Sequence, residues 1–207
     1  MFNSIKIIDS NRKDQSINII NPREIQKDVD NPFRLKVTDP KVKVSFKKEI
    51  KNCINLPDLR FTNYIPLNLD EGSLETSIEM AFRDLMRDIN IVKKYVEPIN
   101  CSEKNSDRIK EIMCEYLDSE TFDQHLGYFY KSDLRDSYIK NKRDSFRIIS
   151  MYLVEPKRHK RQKHSKHNLV ILFVDPYHLF IPSNDYGTDC YDIVKSYTGN
   201  YYVKYFE

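Results

Sequence analysis

At 207 residues the chain is long enough for one domain with a real core, or one domain with a smaller appendage. Hydrophobic residues at 40%, charged residues at 31% and a mean hydropathy of −0.65 exclude the disordered and fibrous classes and indicate a rather polar globular protein. Four glycines and no tryptophan argue against a Gly-rich phosphate-binding fold, and no G-x-x-x-x-G-K-[ST], G-x-S-x-G, H-E-x-x-H or G-x-G-x-x-G occurs.

The net charge of +3 is unevenly spread: residues 1–71 carry 13 basic and 10 acidic side chains, residues 72–144 carry 12 and 15, and residues 145–207 carry 9 and 6. The outer thirds therefore suit an anionic partner. Cys53, Cys101, Cys114 and Cys190 are separated by 48, 13 and 76 residues, so no C-x-x-C pair supplies a zinc ribbon or a thioredoxin-type site. Free thiols in a reducing compartment are expected. The stretch from Met1 to Asp9 lacks the long apolar run of a signal peptide, and the longest apolar run, six residues, is far too short to cross a bilayer. A cytoplasmic protein with no membrane partner and no cofactor is the expectation.

In chain order, Ile5 to Ile8 and Ile17 to Ile20 are two short alternating pieces around a polar connection, a first hairpin or edge strands. Phe33, Leu35 and Val37 then alternate with Arg34, Lys36 and Thr38, and after Asp39-Pro40-Lys41 the residues Val42, Val44 and Phe46 alternate with Lys43, Ser45 and Lys47. Period-two patterning on both sides of an Asp-Pro turn predicts an antiparallel hairpin with one buried face. Its other face would present Arg34, Lys36, Lys43 and Lys47, either to a phosphate backbone or simply to solvent.

Residues 51–72 read as irregular connection, with Pro57, Pro66 and Gly72 as breakers. Ser73 and Glu75 open a helix whose stripe of Leu74, Ile78, Ala81, Phe82, Leu85, Ile89, Val92 and Val96 predicts more than six turns, ended by Pro98. A second helix is predicted over Asp107 to Leu117 with Ser106 as cap, and a third from a capping box at Thr121 to Gln124 through Phe129 and Tyr130, with further helical turns to Tyr138.

Ile148 to Val154 and Leu169 to Val174 are the two apolar runs of a sheet core, the second a central strand covered on both faces. Asp175-Pro176-Tyr177-His178 predicts a type I turn that folds Leu179 to Ile181 back on that strand. Asp189 would cap a helix stopped by Gly199, and Tyr201 to Phe206 would be a closing strand. The tyrosines of this end, Tyr186, Tyr191, Tyr197, Tyr201, Tyr202 and Tyr205, can stack on bases or cover a sheet edge.

Between the two apolar runs lie Lys157, Arg158, His159, Lys160, Arg161, Gln162, Lys163, His164, Ser165 and Lys166, with six Lys or Arg and no acid. A long loop of this kind meets a polyanion or stays solvated without a role. Its cations would repel a metal from His159, His164 and His167, so no metal site is expected there. His167 or His178 beside basic residues could act as general acid or base on a phosphodiester, though spacing identifies no second partner and the catalytic residues stay unknown. Helices followed by an antiparallel sheet with basic residues at its edge resemble the small RelE-type ribonuclease toxins. That resemblance implies metal-independent RNA cleavage; the 70 N-terminal residues depart from it, and it carries no catalytic residue over.

The sequence thus predicts an α+β fold: an antiparallel sheet from about 146–182 plus a C-terminal strand, packed on helices from 73–142, with an N-terminal β-hairpin. Residues 1–70 would form a β-rich segment or subdomain and 71–207 the core domain. The leading functional expectation is a non-enzymatic protein that binds nucleic acid, RNA or DNA, through Lys157, Arg158, Lys160, Arg161, Lys163 and Lys166, helped by Arg34, Lys36, Lys43 and Lys47. The alternatives are the RelE-like ribonuclease and an inhibitor or adaptor that docks on an acidic protein.

Overall fold

The computed structural model describes residues 36–66, 74–101, 105–134, 146–155, 165–182 and 187–199. The chain divides into units 1–34 and 35–207, and every described residue belongs to the second. The pieces before residue 31, the Tyr201 to Phe206 strand, and most of the basic segment lie outside the described residues.

The fold is α+β, organised on a five-stranded mixed sheet of order β1-β7-β6-β5-β4. Its strands are β1 (Lys43–Phe46), β4 (Val96–Pro98), β5 (Phe129–Asp133), β6 (Arg147–Glu155) and β7 (Lys166–Asp175); β2 (Asn55–Leu56) and β3 (Phe61–Thr62) form a separate antiparallel pair. The apolar run of β7 sits between β1 and β6, and Leu169, Ile171, Leu172, Phe173 and Val174 are fully buried, as a central strand requires. A bulge between Ile149 and Ser150 shifts the β6–β7 register, so that Phe173 faces Ile149 while Ile171 faces Ser150.

On one face of the sheet lies α1 (Leu74–Arg87), whose Phe82 meets the Phe146 ring edge-on at 5.1 Å. On the other, α2 (Ser106–Cys114) leads to Tyr116, which stacks on Phe173 at 4.4 Å, and α3 (Ser119–Gln124) carries Phe122, stacked on Phe129 at 5.3 Å. A short helix α4 (Gly187–Val194) closes the described chain, its buried Tyr191 donating to Asn55 Oδ1 at 3.2 Å. None of the four cysteines is disulfide-bonded, and burial pushes the Cys53 thiol up to about 12, which disfavours its thiolate.

Five sequence expectations change. The N-terminal hairpin is replaced by a parallel pairing: β1 adds to β7 with Lys43 opposite Asn168 and Phe46 opposite Ile171, while Lys36 to Val42 is turn. The Asp-Pro turn itself is present, with Asp39 N donating to Lys36 O and Lys41 N to Asp39 Oδ1, both at 2.8 Å. An isolated two-stranded ribbon is marginal, whereas β7 offers Val44 and Phe46 an apolar neighbour already in place.

The long helix stops at Arg87. Asp88 adopts an extended backbone, and its carboxylate accepts from Asn90 N at 3.0 Å, capping a 3₁₀ helix over Ile89–Lys93 that leads into β4. Spacings of three and four both keep apolar residues on one side, so the stripe ran on past the break. Phe129 and Tyr130 belong to β5 and not to the third helix, which Asp118 caps by accepting from Thr121 N at 2.7 Å. Leu179 to Ile181 is not a strand, because β1 and β6 already occupy both edges of β7. Helix α4 starts at Gly187 and ends at Val194, so Asp189 lies inside it and Gly199 well beyond it.

Candidate nucleic-acid interface at the end of the central hairpin

Strands β6 and β7 pair antiparallel from Arg147 with Asp175 to Glu155 with Lys166. The basic segment therefore leaves and rejoins the sheet at neighbouring residues. The pairs Val154 with His167 and Glu155 with Lys166 lie past the ladders that β1 and β5 make with this hairpin, so its end is a two-stranded ribbon. Lys166 opens β7 with a side chain 59% exposed, and its Nζ stands 3.9 Å from Glu155 Oε2, at the long limit of an ion pair. Such an exposed pair contributes little.

The parallel register brings a second set of lysines to the same end. Lys43, exposed, sits opposite Asn168, two residues along β7 from Lys166. Lys36 and Lys41 are exposed in the turn that feeds β1. Lys93 fixes that turn: its buried ammonium donates to Asp39 O at 3.2 Å and to Val42 O. Burial pulls the Lys93 ammonium below its ordinary value, against the opposing pull of Asp39 and Asp88.

Lys47 falls at the other end of β1, where its ammonium donates to the Tyr116 carbonyl and its backbone N–H donates to Ile171 O at 2.8 Å. It is separated from the patch that Lys36, Lys41, Lys43 and Lys166 form. Arg34, Lys157, Arg158, Lys160, Arg161 and Lys163 lie outside the described residues.

His159 and His164 lie outside the described residues, and the described His167 and His178 do not come together. His167 is at the start of β7, whereas His178, with a left-handed φ of 60°, follows its far end, beyond a stretch of strand that spans about 26 Å. Among the described residues no group of His, Cys, Asp or Glu could hold a metal ion. His167 has instead the partners that spacing did not reveal. Tyr152 Oη lies 2.7 Å from its Nδ1 and Ser165 Oγ 2.8 Å from its Nε2. The signal was latent in the hairpin pattern, since a register with Val154 opposite His167 puts Tyr152 on the same face, two pairs along.

At the far end of β7 a different cluster sets the backbone. The fully buried Asp175 carboxylate accepts from Leu179 N at 2.8 Å and Phe180 N at 3.0 Å. Arg108 from α2 donates to Leu59 O, to Leu179 O at 2.5 Å and to Phe180 O at 3.3 Å, and Arg147 donates to Ile181 O at 3.3 Å. These guanidiniums are occupied by the chain's own carbonyls, so this end reads as a structural clamp. The described tyrosines of the C-terminal region also pack: Arg60 lies over the Tyr191 ring at 5.1 Å, and Tyr197 meets Tyr177 edge-on at 6.1 Å.

No family model, curated protein or solved structure matches the chain. The fold defines the class, an α+β protein, and among the described residues no helix is long and apolar enough to cross a membrane.

Proposed function

We propose that the protein binds nucleic acid with the basic end of its central hairpin. The reading rests on one observation: the parallel pairing that sets Lys43 opposite Asn168 joins the turn lysines to the strand that begins at Lys166. Lys36, Lys41, Lys43 and Lys166 then stand at the root of a segment that contributes Lys157, Arg158, Lys160, Arg161 and Lys163. Cations on a ribbon end suit a phosphate backbone, which needs charge more than shape.

The test changes the six Lys and Arg of residues 157–166 to Gln and compares binding of RNA and DNA duplexes over a salt series. A binding protein loses affinity and salt dependence while its melting curve is unchanged. Equal binding by the two proteins removes this reading.

A further inference from the structure

Burial alternates along the first half of β7: Lys166 is exposed, His167 buried, Asn168 half-buried, Leu169 buried, Val170 half-buried and Ile171 buried. Successive strand residues point to opposite faces, so at this end one face of the sheet is covered and the other is open. On the open face the register sets Lys43 and Leu153 on either side of Asn168, Ser45 beside Val170, and Glu155 beside Lys166. Lys43 and Ser45 are exposed, and Leu153 and Glu155 are half-buried. The helical layer of this face begins only beyond them. Lys47, next along β1 on the same side, donates to the Tyr116 carbonyl, and Tyr116 covers Phe173. Leu153 and Val170 thus stand diagonally across the ladder, with Lys166 and Lys43 as their neighbours.

We propose that this open face binds a single, unpaired nucleic-acid strand, with bases laid on Leu153 and Val170 and phosphates met by Lys43 and Lys166. The inference rests on the nucleic-acid reading above and adds which form of the polymer the hairpin end takes. A duplex turns its charged backbone outward and keeps its base faces stacked inside, so it meets the lysines but leaves the two apolar side chains facing phosphate. An unpaired strand offers phosphates along one side and flat base faces along the other, which matches a face that is cationic at its rim and apolar within it.

The charge balance favours the same occupant. Two lysines face one carboxylate, Glu155, which accepts from Asn168 Nδ2 at 3.3 Å and stands 3.9 Å from Lys166 Nζ. The opposite face offers no such surface at this end. There His167 and Tyr152 are 7% and 1% exposed and lie 2.7 Å apart, Nδ1 to Oη, and only Val154 beside them is exposed.

The chain contains no tryptophan, so Ser45→Trp and Val154→Trp each carry a single reporter, at exposed positions on opposite faces of the same hairpin end. Fluorescence anisotropy of labelled oligothymidylate, alone and paired with oligoadenylate, measures binding by the full chain. Oligothymidylate should quench Ser45→Trp and not Val154→Trp, and the duplex should quench neither. In the chain without a reporter, Val170→Thr exchanges a methyl for a hydroxyl at nearly the same shape; it should lower single-strand affinity about fourfold and leave duplex affinity unchanged. That variant decides the matter alone if a tryptophan at position 45 blocks the strand. Tighter binding of the duplex, binding without quenching of Ser45→Trp, equal quenching on the two faces, or a Val170→Thr effect that is the same for both forms overturns the proposal and leaves the nucleic-acid reading in place. Binding of neither form removes both.

Discussion

Three lysines that look alike in the sequence are set apart by the structure, and a salt series can tell them apart. Lys43 and Lys166 are exposed at the hairpin end, while the Lys47 ammonium donates to the Tyr116 carbonyl at the opposite end of β1. Each phosphate contact on duplex DNA contributes about −0.9 to the slope of log affinity against log salt, so one contact accounts for about a 3.5-fold loss over a fourfold rise in salt. Lys43→Gln and Lys166→Gln should each flatten the slope by about 0.9, and the double variant by about 1.8. Lys47→Gln should leave the slope alone and lower stability by roughly 1–2 kcal/mol, because a buried carbonyl loses a charged donor. Fluorescence anisotropy with a labelled duplex reads the slopes, and urea unfolding reads the stability. If Lys47→Gln flattens the slope as much as Lys43→Gln, the ammonium is free in solution and the assignment of this end of the sheet fails. If neither Lys43 nor Lys166 changes it, the polyanion does not touch this end.

Burial pushes the Asp175 carboxyl up to about 6, against the Leu179 and Phe180 amides and then Arg147 and Arg108. The folded state thus holds this proton more tightly than the unfolded chain, and the group's contribution to stability falls by roughly 3 kcal/mol as pH rises from about 4 through 6. The difference in unfolding free energy between wild type and Asp175→Asn should follow that curve; a difference that grows with pH would mean the amides and arginines outweigh desolvation. Asp118→Ala, which removes the α3 cap and its bonds to Thr121 N and Oγ1, should cost about 1 kcal/mol in urea unfolding. Lys93→Met should keep the side chain's apolar stem but leave Asp39 O and Val42 O without their donor, so amide hydrogen exchange in the Lys36 to Val42 turn should quicken while that in β7 stays slow.

What the sequence disclosed and what it hid divide along a physical line. The two apolar runs, their antiparallel pairing and the central place of β7 were legible because continuous burial leaves a run of aliphatic residues that nothing polar interrupts. The second helix was legible from its stripe, with Ile109, Ile112 and Met113 all buried. The parallel partner of β7 was not, since alternation in Val42, Val44 and Phe46 reports that one face is buried and says nothing about which strand lies alongside. Nor was the break at Asp88. There a carboxylate bonded to Asn90 N competes with the helix, and that choice is made by hydrogen bonding while the apolar pattern continues. Phe129 read as the end of a helix because its neighbours Tyr128 and Tyr130 blur any period of two; its place in β5 depends on pairing with Met151.

The site follows the same division. Charge clustering found the segment from Lys157 to Lys166, but clustering along the chain cannot distinguish a lysine in water from one bonded to a carbonyl. Lys93 and Lys47 illustrate the point, each holding backbone oxygens of another segment. Lys93 is the more telling of the two: desolvating its ammonium is unfavourable, and the carbonyls of Asp39 and Val42 offset that by ordering the turn in which Lys36 and Lys41 stand exposed. A buried cation thus fixes the positions of the exposed ones. Lys43, 125 residues before Asn168, becomes its neighbour only because that turn delivers β1 to β7 in parallel register. The same register leaves the far end of β7 to Asp175 and two arginines that face inward, while the exposed Lys43 and Lys166 stand at its start.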